Sequence, residues 1–342
     1  MKKSLIFLLI AIIFSFGASN SFAKTSTSSA GITFQDLGME NPGILPTSPF
    51  YFLKNTTRGI QRFFTFNPVK KAKLELEISN QQIAEIKKMK EISPERTDVI
   101  TKAAENYQNN IERLKVQLET IKETSENPNV NELVDNLVDR SIKHQQLFEE
   151  LKKDFQDNTD LKAALDKNQE SISETVAKVP EKFESAKQFK ERLKKNIENQ
   201  FENEIGELKA IGIIDKFESK LLEDDKDEME SIKDDFVKKF EERMEKLNKI
   251  EKEKILNSEA LENLSNDPVR REKIFGDIKG RFESSDLEEK FGEAEKKILE
   301  KNIESEDFDG QNIEKMINNV GDSLDDDRKQ NDGLENELLE LE

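Results

Sequence analysis

Apolar residues recur along most of this chain in steps of three and four, the spacing that lines one face of an α-helix, and no run alternates as a half-buried strand would. The cleanest stripe is Ile100, Ala104, Tyr107, Ile111, Leu114, Leu118 and Ile121, stepping 4, 3, 4, 3, 4 and 3, which predicts a helix with a coiled-coil-like seam. Before it, Val69, Ala72, Leu76, Ser79, Ile83 and Ile86 mark another long helix, widened by Leu74 and Ile78. The short break at Glu91 to Ser93 predicts an antiparallel hairpin of the two, with Ser93-Pro94 capping the second. Residues 125 to 129 interrupt the pattern, and a third helix follows from Val130 to Phe155 through Val134, Leu137, Ser141, His144, Phe148 and Leu151.

A shorter helix (Leu161, Leu165, Ile172, Val176) is expected to end near Val179-Pro180. From Glu181 a single long helix is predicted through Phe183, Ala186, Leu193, Ile197, Phe201, Ile205 and Leu208, stopped around Gly206 to Gly212. Met229, Ile232, Phe236, Phe240, Met244 and Leu247 mark the next. Asp267-Pro268 starts a weaker segment, and Leu287, Phe291, Ala294 and Ile298 mark the last helix. The fold expected is all-α: elongated helical hairpins or a coiled-coil-like bundle. Methionine and phenylalanine at such spacing read as core, and the one histidine, His144, falls on a seam. It reads as a neutral imidazole hydrogen-bonded between helices, with a metal ligand or pH sensor as the other reading.

The stretch from Asn41 to Glu85 stands apart. Between Asn41 and Leu74 it holds no acidic residue, while Lys54, Arg58, Arg62, Lys70, Lys71 and Lys73 give +6 in a chain of net charge -18. It also holds Phe50, Tyr51, Phe52, Phe63, Phe64 and Phe66 of the 24 aromatics. Pro42, Pro46 and Pro49 make residues 41 to 48 read as an extended arm. Ser48-Pro49 and Asn67-Pro68 each read as a helix start, with a side-chain N-cap followed by a proline that has no N–H to satisfy.

At these residues the chain resembles an uncharacterised bacterial family of exported helical proteins, known only as a domain of unknown function. The resemblance rests on Ser48-Pro49-Phe50-Tyr51-Phe52-Leu53-Lys54, Pro68, Lys71-Ala72, Leu74, Leu76 and Ile83-Ala84-Glu85, and extends towards Lys143-His144. Gln82 stands where a basic residue would be expected. The family supplies no activity and no site to carry over.

Residues 1 to 23 read as a secretory leader: Lys2 and Lys3, the apolar run Leu5 to Phe16, and the Ser21-Phe22-Ala23 cleavage site. Cleavage after Ala23 leaves a secreted or cell-envelope chain of net charge -20 with no transmembrane helix. That charge argues against nucleic acid as a partner. With no cysteine there is neither a lipid-attachment site nor a disulfide framework. The organisation expected is a leader (1–23), a flexible spacer (24–40), a helical domain with the motif stretch (41–180), a second set of long helices (181–303) and an acidic tail (304–342).

Chemistry is thinly signalled. Ser305 to Gly310 is superficially similar to a calcium loop, but Ser305 and Met316 stand where acidic ligands belong, and Asp325-Asp326-Asp327 has nothing to preorganise it. No phosphate loop, nucleophile elbow or zinc helix is present, so no enzyme, cofactor or metal is expected. The candidate interaction surface is Phe50, Tyr51, Lys54, Arg58, Arg62 and Phe63, directed at a protein or an anionic cell-envelope component. One reading turns its basic face outwards onto an anionic surface. The other packs the aromatics on the following helix and rests the basic face on the protein's own carboxylates. The function expected is a non-enzymatic interaction or spacer module of the cell envelope; the alternative is a periplasmic-type holdase or a stress or cation sensor. Helix seams also allow homo-oligomers.

Overall fold

Side-chain caps, two of them followed by proline, mark where several of the helices begin. The computed structural model describes residues 31–201, 205–257, 261–262, 264–265 and 268–304, with eleven helices and no strand among them. Helix α1 spans Tyr51–Phe64 and α2 spans Pro68–Ile92, where Asn67 Oδ1 accepts the Lys70 N–H at 3.0 Å. Helix α3 is Thr97–Thr120. Helix α4 is Pro128–Asp154, capped by Asn127, and α5 is Thr159–Lys182, capped by Asn158.

The apolar stripes of α2 to α5 close on one another as a four-helix bundle in which α2 touches α3 and α4, and α5 touches the same two. Buried polar side chains fix the register. Asn110 Nδ2 donates to the Glu75 carbonyl (2.7 Å) and Gln82 Nε2 to the Asn106 carbonyl (3.3 Å), so α2 and α3 run antiparallel. Gln145 Nε2 donates to the Gln169 carbonyl (2.8 Å) and Asn168 Nδ2 to the Ala104 carbonyl (3.1 Å), tying α4 and α3 to α5. Every residue of the Ile100 to Ile121 stripe is at most 1 % exposed.

Helices α6 (Ala186–Glu198), α7 (Gly206–Glu218), α8 (Glu223–Lys246), α9 (Lys249–Leu256), α10 (Pro268–Lys279) and α11 (Ser285–Glu304) follow. Helix α6 packs on α4, α5 and α8, and α7 packs on α5, α8 and α10. Helices α6 and α7 thus pack across residue 180 onto α4 and α5. Lys233, only 4 % exposed, joins α8 to α7 and α10 through Glu218 (2.5 Å) and Asp277 (3.0 Å).

Several local expectations are corrected. Ser93-Pro94 makes a turn, with Ser93 ending α2 and α3 starting at Thr97. Helix α5 runs through Pro180, which removes the i to i−4 hydrogen bond to Val176, and ends two residues later at Lys182. The helix expected from Glu181 to Leu208 is two helices, and Gly206 opens the second instead of stopping the first. The acidic run Glu223 to Glu228 lies inside α8, where carboxylates favour the N-terminal end of the helix dipole. Residues 31–39, read as spacer, are seated on the bundle: Leu37 is fully buried, and Ile32 N–H donates to Glu150 Oε1 at 3.1 Å. Residues 24–30 of that spacer, the leader, the Ser305 to Met316 segment, Asp325-Asp326-Asp327 and the acidic tail beyond Glu304 lie outside the described residues.

Candidate functional site

The motif stretch folds back on itself. Residues 41 to 48 are bent rather than extended: Asn41 Oδ1 accepts the Gly43 N–H at 2.8 Å, and Gly43 takes φ +72°, where a side chain would be strained. Lys54 Nζ ties this loop to α1 by donating to the carbonyls of Pro42 and Ile44. Ser48 Oγ accepts the Phe50 N–H at 3.2 Å within a turn, but the expected cap is displaced: Phe50 is the N-cap residue, without a side-chain cap hydrogen bond, and the helix begins at Tyr51.

Helix α1 lies on α2 through its polar side. Tyr51, Lys54, Arg58 and Arg62 fall at steps of 3, 4 and 4, one helical face. Glu85 of α2 gathers three of them. Its carboxylate accepts from the Tyr51 hydroxyl (2.6 Å) and from Arg58 Nη2 (2.7 Å) and pairs with Lys54 (2.6 Å). Arg58 also donates to Gln81 Oε1 at 2.6 Å. One α-helical turn further, Arg62 forks onto both oxygens of Glu75 at 2.8 Å and reaches Asn110 Oδ1 of α3 at 2.7 Å.

The cluster is dry enough to shift its members. Burial and the Glu85 charge push the Tyr51 hydroxyl up out of the titratable range, so it stays a donor. Burial pulls the Lys54 ammonium below its ordinary value, with Glu85 opposing. Arg58, 4 % exposed, is the sole buried residue of α1.

The opposite side of α1 is apolar and faces outwards. Phe52 is 61 % exposed, Phe63 73 % and Phe64 67 %, with Leu53, Ile60 and the flanking Phe50 and Phe66 exposed beside them. Thr56 and Thr57 lie on this face, and each hydroxyl donates into its own helix, to the carbonyls of Phe52 (2.9 Å) and Leu53 (3.0 Å). Their methyl groups are what the surface presents.

The six candidate residues therefore divide. Phe50 and Phe63 point away from the body, while Tyr51, Lys54, Arg58 and Arg62 form an internal clamp. The basic face turns inwards and the phenylalanines stay exposed, while Tyr51 bonds Glu85 of α2. Each open reading was half of the arrangement. What sequence reasoning missed is the acceptor set Glu85, Glu75, Gln81 and Asn110. A signal was there, because Glu75 and Glu85 sit among the apolar residues of α2, where a carboxylate needs a cation.

Elsewhere several charged side chains pair across grooves between helices. The groove between α4 and α6 is bridged by Arg192 to Glu184 (2.8 Å) and Asp135 (3.1 Å), and that between α5 and its neighbours by Lys152 to Asp166 (2.6 Å) and Lys220 to Glu170 (2.6 Å). Among the described residues no group of three or more His, Asp or Glu is disposed to hold a metal ion, and no helix is long and apolar enough to cross a membrane. His144 is fully buried, with Nδ1 at 2.8 Å from the Tyr107 hydroxyl, and burial pulls its pKa down to about 3.

Fold and site together define an all-helical protein whose motif helix is clamped to a bundle by its polar face. The pattern of the family described as Domain of unknown function (DUF5667) matches residues 43–215, about half of the chain and the whole span from the motif loop into α7, and the chain belongs to that family. No curated protein and no solved structure matches it.

Proposed function

We propose that the protein is a non-enzymatic, exported interaction module of the cell envelope, in which a helical body holds out the apolar face of α1 for a partner. The observation that carries this reading is the inverted packing of α1. A surface helix ordinarily buries its apolar stripe, and this one turns a tyrosine, a lysine and two arginines inwards instead, with Arg58 buried and the other three half-buried. Its five outward phenylalanines expose roughly 600 Å² at ~200 Å² per aromatic side chain, the size of patch that marks a contact surface on a folded protein. Export rests on the leader read at residues 1 to 23, and a chain recovered from the envelope with Lys24 as its first residue by mass spectrometry supports it.

The test is a photo-crosslinking residue placed at Phe63 and, as a control, at the exposed Lys102 of α3, in the expressing cell. A discrete adduct at Phe63 alone supports the module; equal adducts at both positions, or none, overturn it. The holdase alternative draws on the same phenylalanines and predicts a smear of many adducts. The clamp favours the module, because a helix fixed by three guanidinium or ammonium groups suits one defined contact better than many.

A further inference from the structure

We propose that the partner of the α1 apolar face is the same face of a second copy, so that the protein pairs through α1 as a two-fold symmetric dimer. This deepens the reading above and rests on it. The geometry of α1 supplies the first argument. Leu53, Thr57, Ile60 and Phe64 follow steps of 4, 3 and 4, a seam that fits a partner helix, with Phe52, Thr56 and Phe63 along one flank.

Charge supplies the second. A two-fold contact sets the same face against itself, so a face carrying charge of one sign would meet charge of that sign. The charged residues of α1 are Lys54, Arg58 and Arg62, and all three are drawn inwards onto Glu85 and Glu75. The outer face is left neutral in a chain of net charge -18, where most other surfaces of two copies repel. The same inward turn removes the cations an anionic bilayer would attract, which favours a second copy over lipid.

Solvation and area supply the rest. The Thr56 and Thr57 hydroxyls already have acceptors in their own helix, so a dry contact strands neither. Two phenylalanine faces bury roughly 1,200 Å² between them, the lower end of what a specific interface needs, and Leu53 and Ile60 add to it.

The experiment takes the protein as the cell processes it and measures its mass by sedimentation over a concentration series, with and without phosphatidylcholine and phosphatidylglycerol vesicles. Ile60→Glu is the variant: Ile60 is exposed, and circular dichroism checks that its fold is kept. The wild type should reach twice the chain mass, and Ile60→Glu should weaken pairing by roughly tenfold or more. A dimer that persists unchanged in Ile60→Glu uses another surface and overturns the proposal. A wild type that stays monomeric but sediments with vesicles, and loses that on Ile60→Glu, overturns the dimer while the interaction module stands. A monomer that ignores vesicles and gives no Phe63 adduct overturns both.

Discussion

Helix α1 and the bundle beneath it follow opposite rules with the same alphabet. In α2 to α5 the apolar stripe is inside and most charges are outside, Glu75, Glu85 and Lys152 excepted, and stability rises with apolar area removed from water. In α1 the charges are inside, on Glu85 and Glu75, and the phenylalanines are outside. Polar attachment is directional and short-ranged, so it sets the orientation of α1 on α2 while adding little to the hydrophobic core. The comparison teaches that the bundle is what makes the chain fold, and the clamp is what decides which face of α1 is shown.

The strongest way to break the bundle side of this comparison is Leu114→Asp. Leu114 is fully buried in the α3 stripe, and a carboxylate there would find no cation. Unfolding of the bundle is expected at a cost of several kcal/mol. A thermal melt by circular dichroism that matches the wild type would show the seam is not the core.

Glu85→Ala tests the other side. It leaves Tyr51, Lys54 and Arg58 without their common acceptor, a loss of about 3–5 kcal/mol for a broken buried pair. The expected outcome is local, because α1 can swing into water and rehydrate its cations. Tryptic cleavage after Lys54, Arg58 and Arg62 should accelerate while the bundle melts as before. Loss of the whole unit at that substitution would make the clamp part of the core.

What the sequence disclosed follows the same division. The Ile100 to Ile121 stripe was legible because a seam of period 3.5 has one physical solution, burial against another helix. Helix α1 was not, because it carries a basic stripe and an apolar one on opposite sides and the decision lies 13 to 34 residues downstream, in two carboxylates of α2. The break between α6 and α7 was invisible for another reason: Leu193, Ile197, Phe201, Ile205 and Leu208 keep a helical spacing through it. The clue was Gly206, where an added Cβ would stand 3.1 Å from the Phe201 carbonyl carbon, too close for any larger residue without a shift. His144 was placed on its seam correctly, but its Tyr107 partner lies on α3 and pattern alone could not pair them.

That pair gives a smaller, pH-dependent effect. His144 is pulled down to about pKa 3, chiefly by burial and further by Arg140 and Lys143, whereas in the unfolded chain it titrates near 6.5. Below pH 6.5 the unfolded state binds the proton and the folded state does not, so stability is full above that value and falls as pH drops towards 3. At pH 5 the loss is about 2 kcal/mol. Urea melts at pH 7 and pH 5 should show this drop in the wild type and a shallower one in His144→Phe, a window that stays above the ordinary carboxylate range. An equal slope in both would remove His144 as the cause.

The smallest expected effect sharpens the comparison most. Phe148 and Phe64 are both helical phenylalanines, one fully buried against Tyr107 at a ring separation of 5.2 Å, the other 67 % exposed on α1. Phe148→Ala removes a packed ring and leaves a cavity, about 3–5 kcal/mol. Phe64→Ala removes a ring that touches mainly water and its neighbour Phe63, so it should change the stability of the isolated chain by no more than about 0.5 kcal/mol. The measurement belongs at high dilution, because any pairing through α1 stabilises the folded state by mass action and makes the melt depend on concentration. If Phe64→Ala lowers the melt as much as Phe148→Ala at high dilution, the phenylalanines of α1 belong to the core of the single chain. A gap between the two that narrows only as concentration rises places them in a contact that the single chain does not make.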